Sequence, residues 1–131
     1  MSDGCLVSGS EDSTIRIWNM TTYSVVKILN AQSPVRGLLL LRNGNVASSL
    51  WNGVIKIWDI SSGQALMSLT GHTNAVINII QLSDHILGSG SYDHTIKLWD
   101  LTNGANLMTL RNHTNFVIGL MQLSNGYIVS G

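Results

Sequence analysis

The sequence predicts an all-β protein built from tandem four-stranded antiparallel units, and three observations predict it. A pattern ending in tryptophan returns three times, as Gly9 to Asn19, Ser49 to Asp59 and Gly90 to Asp100. Trp18 and Trp58 stand 40 residues apart and Trp58 and Trp99 stand 41 apart, a period that marks stacked repeats rather than one folded core. Within each unit, short stretches of alternating apolar and polar residues are separated by turn residues, which is the signature of antiparallel strands.

Residues 5–9 (Cys5-Leu6-Val7-Ser8-Gly9) are short and apolar, and Glu11-Asp12-Ser13 supplies the turn into Thr14-Ile15-Arg16-Ile17-Trp18. The strict alternation of that second stretch puts Ile15 and Ile17 on one face and Thr14, Arg16 and Trp18 on the other, where the arginine stem can lie along the indole. A polar turn from Asn19 to Thr22 leads to a third strand at 24–29. After a loop holding Pro34, residues 35–41 read as a strand buried on both faces, because a β-branched start runs into four leucines. That unit continues with strands at 45–49, 54–58 and 65–69, joined through Arg42-Asn43-Gly44 and Trp51-Asn52-Gly53. A third unit repeats it with strands at 76–82, 86–90, 95–99 and 105–110, and a fourth begins at Val117. The expected organisation is a partial unit over 1–29, full units over 35–69 and 76–110, and the start of another over 117–131.

Alignment of the units makes Leu41, Leu82 and Leu123 equivalent and places Met1 in the same column. Val129-Ser130-Gly131 likewise matches Val7-Ser8-Gly9, so both ends are expected to cut through a repeat.

Composition narrows the function. Seven basic and seven acidic residues cancel, so no long-range field gathers nucleic acid or an anionic membrane, and partners must be recognised locally. With 44% apolar and 11% charged residues the chain is globular. Cys5 is the only cysteine, which excludes an internal disulfide and a cysteine-built zinc site and suits a reducing compartment. No run of 18 apolar residues occurs, and Met1-Ser2-Asp3-Gly4 has neither the basic flank nor the apolar run of a signal peptide. The expected localisation is cytoplasmic, with the nucleus as the alternative. Asn19-Met20-Thr21 and Asn112-His113-Thr114 match the glycosylation pattern and are read as coincidence in a chain with no export signal.

Gly71-His72 and Asn112-His113, the turn aspartates Asp12 and Asp93, and the endings Trp18-Asn19, Trp58-Asp59 and Trp99-Asp100 resemble the WD-repeat β-propeller family across essentially the whole chain. The resemblance implies a partial β-propeller whose blades are four-stranded antiparallel sheets with the innermost strand lining a channel. It also implies that His72, Ser89, Asp93 and Trp99 form the hydrogen-bonded tetrad of one blade. Histidine has two ring nitrogens to offer, aspartate accepts, serine does both and the indole donates. Ser8, Asp12 and Trp18 would be the surviving members in the first unit, Ser48 and Trp58 in the second, and His113 with Ser130 in the fourth. The second unit departs from the pattern, since Ala31 or Gln32 stands where histidine belongs and Asn52 replaces the turn aspartate. That blade is expected to be the least rigid unless Gln32 and Asn52 pair with each other.

His72, Ser89 and Asp93 have the residue types of a hydrolytic triad, but the serine recurs once per repeat as Ser8, Ser48, Ser89 and Ser130 and is therefore architectural. His85 and His94 fall on turns with no cysteine or carboxylate at metal-ligand spacing and are read as solvated. No glycine-rich phosphate cradle is present, and no cofactor is expected. Arg16, Lys56 and Lys97 recur in register and could touch a phosphate backbone, although side chains snorkelling at blade surfaces explain them more simply.

The positions that vary are more informative. Glu11, Trp51 and Tyr92 each precede the turn aspartate or its replacement, and Pro34, Ala75 and Phe116 precede each innermost strand. By the resemblance both sets open on one rim, where Trp51, Tyr92 and Phe116 would supply the aromatic anchors typical of interfaces. The alternative is that Phe116 packs under its own loop and Trp51 fills the space of the missing histidine. The expected function is a non-enzymatic scaffold that binds a protein or peptide on this rim through Glu11, Pro34, Trp51, Tyr92 and Phe116, with no membrane partner. The alternatives are a nucleic-acid-associated propeller subunit and the substrate-recognition module of a ubiquitin ligase. The remaining blades are expected from a longer chain or from self-association.

Overall fold

The computed structural model describes residues 4–131, so the position assigned to Met1 lies outside the described residues. Strands β1 (Cys5–Gly9), β2 (Thr14–Asn19) and β3 (Ser24–Asn30) make the first sheet, in the order β1-β2-β3. Strands β4 (Val35–Leu40), β5 (Val46–Leu50), β6 (Ile55–Trp58) and β7 (Ala65–Leu69) form the second as a meander. The third repeats it with β8 (Val76–Gln81), β9 (Ile86–Ser91), β10 (Ile96–Asp100) and β11 (Asn106–Leu110), and β12 (Leu120–Gln122) pairs with β13 (Ile128–Ser130) in the fourth. All ladders are antiparallel, and no α-helix occurs among the described residues.

The equivalences read from the sequence hold in three dimensions. Leu41, Leu82 and Leu123 each donate a backbone N–H across their hairpin, to Asn45, Ile86 and Tyr127. A bulge falls at the same place in each of the three hairpins β2–β3, β6–β7 and β10–β11, between Ile17 and Trp18, Ile57 and Trp58, and Leu98 and Trp99. The first strands of successive sheets, β4, β8 and β12, pack side by side, so the sheets fan out from a common edge.

Each gap between sheets holds its own core. Ile15, Ile17 and Leu29 meet Val35, Leu50 and Trp58 in the first gap, and Ile55, Ile57 and Leu69 meet Val76, Leu87 and Trp99 in the second. The period-two alternation is thereby confirmed: in β6 the isoleucines face forward to the third sheet while Trp58 faces back to the first. Glycine near the end of β1 and β9 lets the next sheet close in. A Cβ on Gly9 would lie 2.5 Å from Val35 Cγ1, and one on Gly90 would lie 3.0 Å from Val117 Cγ1.

Two expectations need correction. Strand β4 is not buried on both faces: Val35 is buried, the next four residues are half-buried and Leu40 is 50% exposed. It is the edge strand of its sheet, so one of its sides has no hydrogen-bonded neighbour. The fourth sheet's first strand begins at Leu120 rather than Val117. The Val117 N–H donates to the Ser91 carbonyl, as the Val35 N–H does to that of Ser10, and Gly119 and Gly131 exchange backbone bonds just outside the ladder.

Candidate functional site

In the third sheet His72, Ser89, Asp93 and Trp99 come together. His72 arrives on the loop before β8, Ser89 and Trp99 lie diagonally across the β9–β10 hairpin, where Ser89 pairs with Lys97 and Trp99 with Leu87, and Asp93 sits in its turn. His72 Nδ1 lies 2.7 Å from Asp93 Oδ2, and His72 Nε2 lies 2.8 Å from Ser89 Oγ. Trp99 Nε1–H donates to Ser89 Oγ at 2.8 Å. Thr95 completes the group by donating its hydroxyl to Asp93 Oδ1 at 2.6 Å, and the Thr73 N–H donates to Oδ2 at 3.0 Å.

The electrostatics select one tautomer. Burial pushes the His72 imidazole below its ordinary value of 6.5, outweighing the hydrogen bond and charge of Asp93, so the ring is neutral at pH 7. Burial pushes the Asp93 carboxyl up, but the bonds from Thr95, His72 and the Thr73 N–H outweigh it and hold the group down at about 2. A neutral imidazole beside a carboxylate must carry its proton on Nδ1, which donates to Asp93, leaving Nε2 to accept the Ser89 hydroxyl proton. Ser89 is fully buried, and its oxygen is committed to His72 and to Trp99, so no substrate reaches it as a nucleophile.

The other sheets keep parts of this arrangement. Trp18 Nε1–H donates to Ser8 Oγ, Asp12 Oδ1 accepts both the N–H and the hydroxyl of Thr14, and His113 Nε2 lies 2.7 Å from Ser130 Oγ. In the second sheet Trp58 Nε1–H donates to Ser48 Oγ at 2.9 Å. The pairing of Gln32 with Asn52 does not form. Instead Lys56 Nζ donates to the Ala31 carbonyl at 3.0 Å and to Gln32 Oε1 at 2.7 Å, 5.7 Å above the Trp58 ring. Asn52 Oδ1 still accepts the Val54 N–H, and the Asn52 N–H goes to Ser33 Oγ, whereas the Asp93 N–H goes to Ser91 Oγ. Leu50 occupies the place of Ser91 here, and Ser33 supplies the hydroxyl that Leu50 cannot.

The basic residues recurring in β2, β6 and β10 are each engaged by other groups of the chain. Arg16 pairs with Asp12, Lys56 with the loop just described, and Lys97 Nζ with Thr109 Oγ1. Lys97 is 7% exposed, so the expectation that all three snorkel at the surface is corrected for that residue.

The variable positions converge on one rim. The backbone N–H of Trp51 donates to the Pro34 carbonyl and that of Tyr92 to the Ala75 carbonyl, which sets the residue after β5 or β9 opposite the residue before β4 or β8. Tyr92 stacks on Phe116 with ring centroids 4.3 Å apart, and Trp51 meets Tyr92 edge-on at 6.1 Å. Trp51 and Phe116 are 47% and 49% exposed, so neither is filling a buried space. Glu11 forms an ion pair with Arg36, and the Arg36 guanidinium carbon lies 5.0 Å from the Trp51 ring centroid. Glu11, Pro34, Arg36 and Trp51 line a groove of about 250 Å³.

Two members of this cluster were missed by reading the sequence. Arg36 is the one charged residue in the apolar stretch 35–41, a signal that marks it in retrospect. His94, read as a solvated turn residue, is half-buried with its ring 5.6 Å from Phe116, because the left-handed turn at φ 67° folds it back along the rim. His85 is exposed, as read. Among the described residues no group of three histidine, cysteine, aspartate or glutamate side chains could hold a metal, and no helix is long and apolar enough to cross a membrane.

Comparison with known proteins adds an independent line. The family model described as WD domain, G-beta repeat matches residues 1–19, 23–59 and 63–100. Apoptotic protease-activating factor 1 of Danio rerio is 35% identical over 88 residues, covering 63% of this chain and 7% of that protein. The anaphase-promoting complex subunit cdh1 of Dictyostelium discoideum is 31% identical over 83 residues, covering 60% of this chain and 11% of that protein. The chain thus spans a small fraction of the length of these relatives. The WD40 β-propeller domain of Doa1 superimposes on the whole chain with a TM-score of 0.89 at 27% identity, over 44% of that structure.

Proposed function

The chain belongs to the WD domain, G-beta repeat family, and from that premise we propose that it is a non-enzymatic scaffold docking a partner protein or peptide on the rim that carries Glu11, Pro34, Trp51, Tyr92 and Phe116. Family membership supports the coarser statement, a protein-interaction scaffold. The observation that carries the finer one is the row of rings from Trp51 through Tyr92 to Phe116, half-exposed at its two ends where hairpin turns and a loop meet on the rim. Exposed aromatic residues of this kind dominate interface energies, because they bury much area while fixing few rotatable bonds.

The polar tetrad contributes rigidity, since a fully satisfied buried network ties the loop bearing His72 to the hairpin bearing Tyr92. The same buried bonding argues against hydrolysis at Ser89, and the engagement of Arg16, Lys56 and Lys97 by other groups of the chain argues against a phosphate-binding stripe. A cytoplasmic or nuclear setting is part of the proposal and rests on the single cysteine.

Alanine at Trp51 and at Tyr92 tests it. Each substitution is expected to weaken binding of a captured partner by about tenfold or more, the loss typical of a hot-spot residue, while the melting temperature stays near that of the parent. Binding that is unchanged in both variants for every captured partner would remove the rim from the account.

A further inference from the structure

We propose that the rim recognises a peptide bearing a carboxylate side chain close to an aromatic or large aliphatic one. Arg36 takes the carboxylate, and Tyr92 with Phe116 takes the apolar side chain. This rests on the rim being the docking surface.

Arg36 is the second residue of β4, and the equivalent positions of the next two units are Ile77 and Ile118, so its charge is peculiar to this blade. The guanidinium is held on two sides. Its carbon lies 5.0 Å over the Trp51 ring, and Nη1 donates to Glu11 Oε1. A guanidinium offers five N–H donors in a planar fork, and among the described residues Nη1 is its only nitrogen with a protein partner, so Nε and Nη2 can take a second planar anion side by side. Arg36 is preorganised, its side chain 27% exposed, whereas Glu11 is 79% exposed on a turn and holds the arginine by a single contact. One fixed guanidinium matches one singly charged carboxylate, and the stacked pair Tyr92–Phe116 borders the same rim through the edge contact of Tyr92 with Trp51. A cationic side chain would instead meet Arg36 already seated on the indole face.

The sign of one substitution separates these cases. Glu11 competes with an incoming carboxylate and would assist an incoming cation. The test uses the full chain and an array of 12-residue peptides with a Phe and a Glu at separations of one to four in a Ser/Gly/Ala background, beside matched arrays with Gln or Lys in place of Glu. The Phe–Glu members are expected to bind tightest. Arg36→Gln is expected to weaken them about tenfold, as loss of a charge-assisted pair does, with Arg36→Lys recovering part of the loss. Glu11→Gln is expected to tighten them by about twofold to fivefold, the scale of an exposed ion pair. Tightest binding by Phe–Lys members, weaker binding after Glu11→Gln, or indifference to Arg36→Gln in peptides that still require Trp51 and Phe116 would overturn the carboxylate assignment and leave the rim in place. Peptide binding that is indifferent to Trp51→Ala, or no binding by any array, would overturn both.

Discussion

The second and third blades are built on the same strand plan and hold their rims by different chemistry. In the third blade a buried neutral histidine links an aspartate to a serine, and the serine to a tryptophan. In the second the histidine and the aspartate are both gone, and a half-exposed lysine reaches from β6 to the loop that the histidine would have tethered. A serine from that same loop replaces the hydroxyl lost at Leu50. The blades differ once more where the next sheet presses in. Blade three has Gly90, and blade two has Ser49, whose fully buried hydroxyl lacks a partner and points at Gly37. The lesson is that a repeat conserves the tether between loop and hairpin, while the atoms that make it can change.

The largest effect should come from cutting the serine out of each tether. Ser89→Ala leaves both His72 Nε2 and the Trp99 indole N–H without a partner and is expected to cost about 2–6 kcal/mol, at ~1–3 for each orphaned group. Ser48→Ala orphans the Trp58 N–H alone and should cost about half as much by chemical denaturation. Equal losses would mean that His72 adds nothing that blade two lacks.

Next in size is the packing difference between the blades. A Cβ at residue 37 would sit 2.9 Å from Ser49 Oγ, so Gly37→Ala is expected to cost about 1–3 kcal/mol through overpacking. Ser49→Gly should recover most of that in the double variant, and simple additivity of the two changes would show that the pair is not coupled.

The two lysines should then diverge in sign. Lys56→Met strips the Ala31 carbonyl and Gln32 of their donor and is expected to cost about 1 kcal/mol. Lys97→Met replaces a buried ammonium that has one hydroxyl partner and should be neutral or slightly stabilising in the same melting series.

The smallest effect is a pH dependence confined to one blade. His72 has a folded value below 6.5, so the unfolded chain binds the extra proton first, and stability present above pH 6.5 is lost as the pH falls toward the folded value. Asp93, held at about 2 against 3.8, loses its contribution only as the pH falls from 3.8 through about 2. Asp59 in blade two is also held at about 2, by the hydroxyls of Ser61 and Ser62, so strong acid does not separate the blades. Amide exchange compared at pH 7 and pH 5.5 does: protection after correction for intrinsic rates should fall in β8–β10 more than in β4–β6, and His72→Gln should erase the difference.

Much of this was legible in the sequence for a physical reason. The tryptophan period, the alternation of Ile55, Lys56, Ile57 and Trp58, and the glycine and asparagine turns are local signals, and local signals set strands, faces and hairpins. The convergence of Trp51, Tyr92 and Phe116 followed from counting repeats, because equivalent positions in successive blades become neighbours along one rim. What escaped was longer in reach. Lys56 meets Ala31 and Gln32 across 25 and 24 residues, and Arg36 meets Glu11 across 25, through flexible side chains whose direction no period encodes. The shortened innermost strand of the fourth blade escaped too, since Val117 and Ile118 continue the apolar pattern while the ladder to β13 starts only at Leu120.

The turn at Gly53 carries a consequence for anyone wishing to recombine these blades. Residue 53 has φ 85°, and a Cβ there would come within 2.7 Å of the His72 carbonyl oxygen and 3.1 Å of that of Asn74. The segment that anchors one blade is therefore the ceiling over its predecessor's hairpin. A cassette cut at the sheet boundary would separate a ceiling from the floor shaped to fit it. The exchangeable module runs instead from one such hairpin to the loop above it, straddling two sheets.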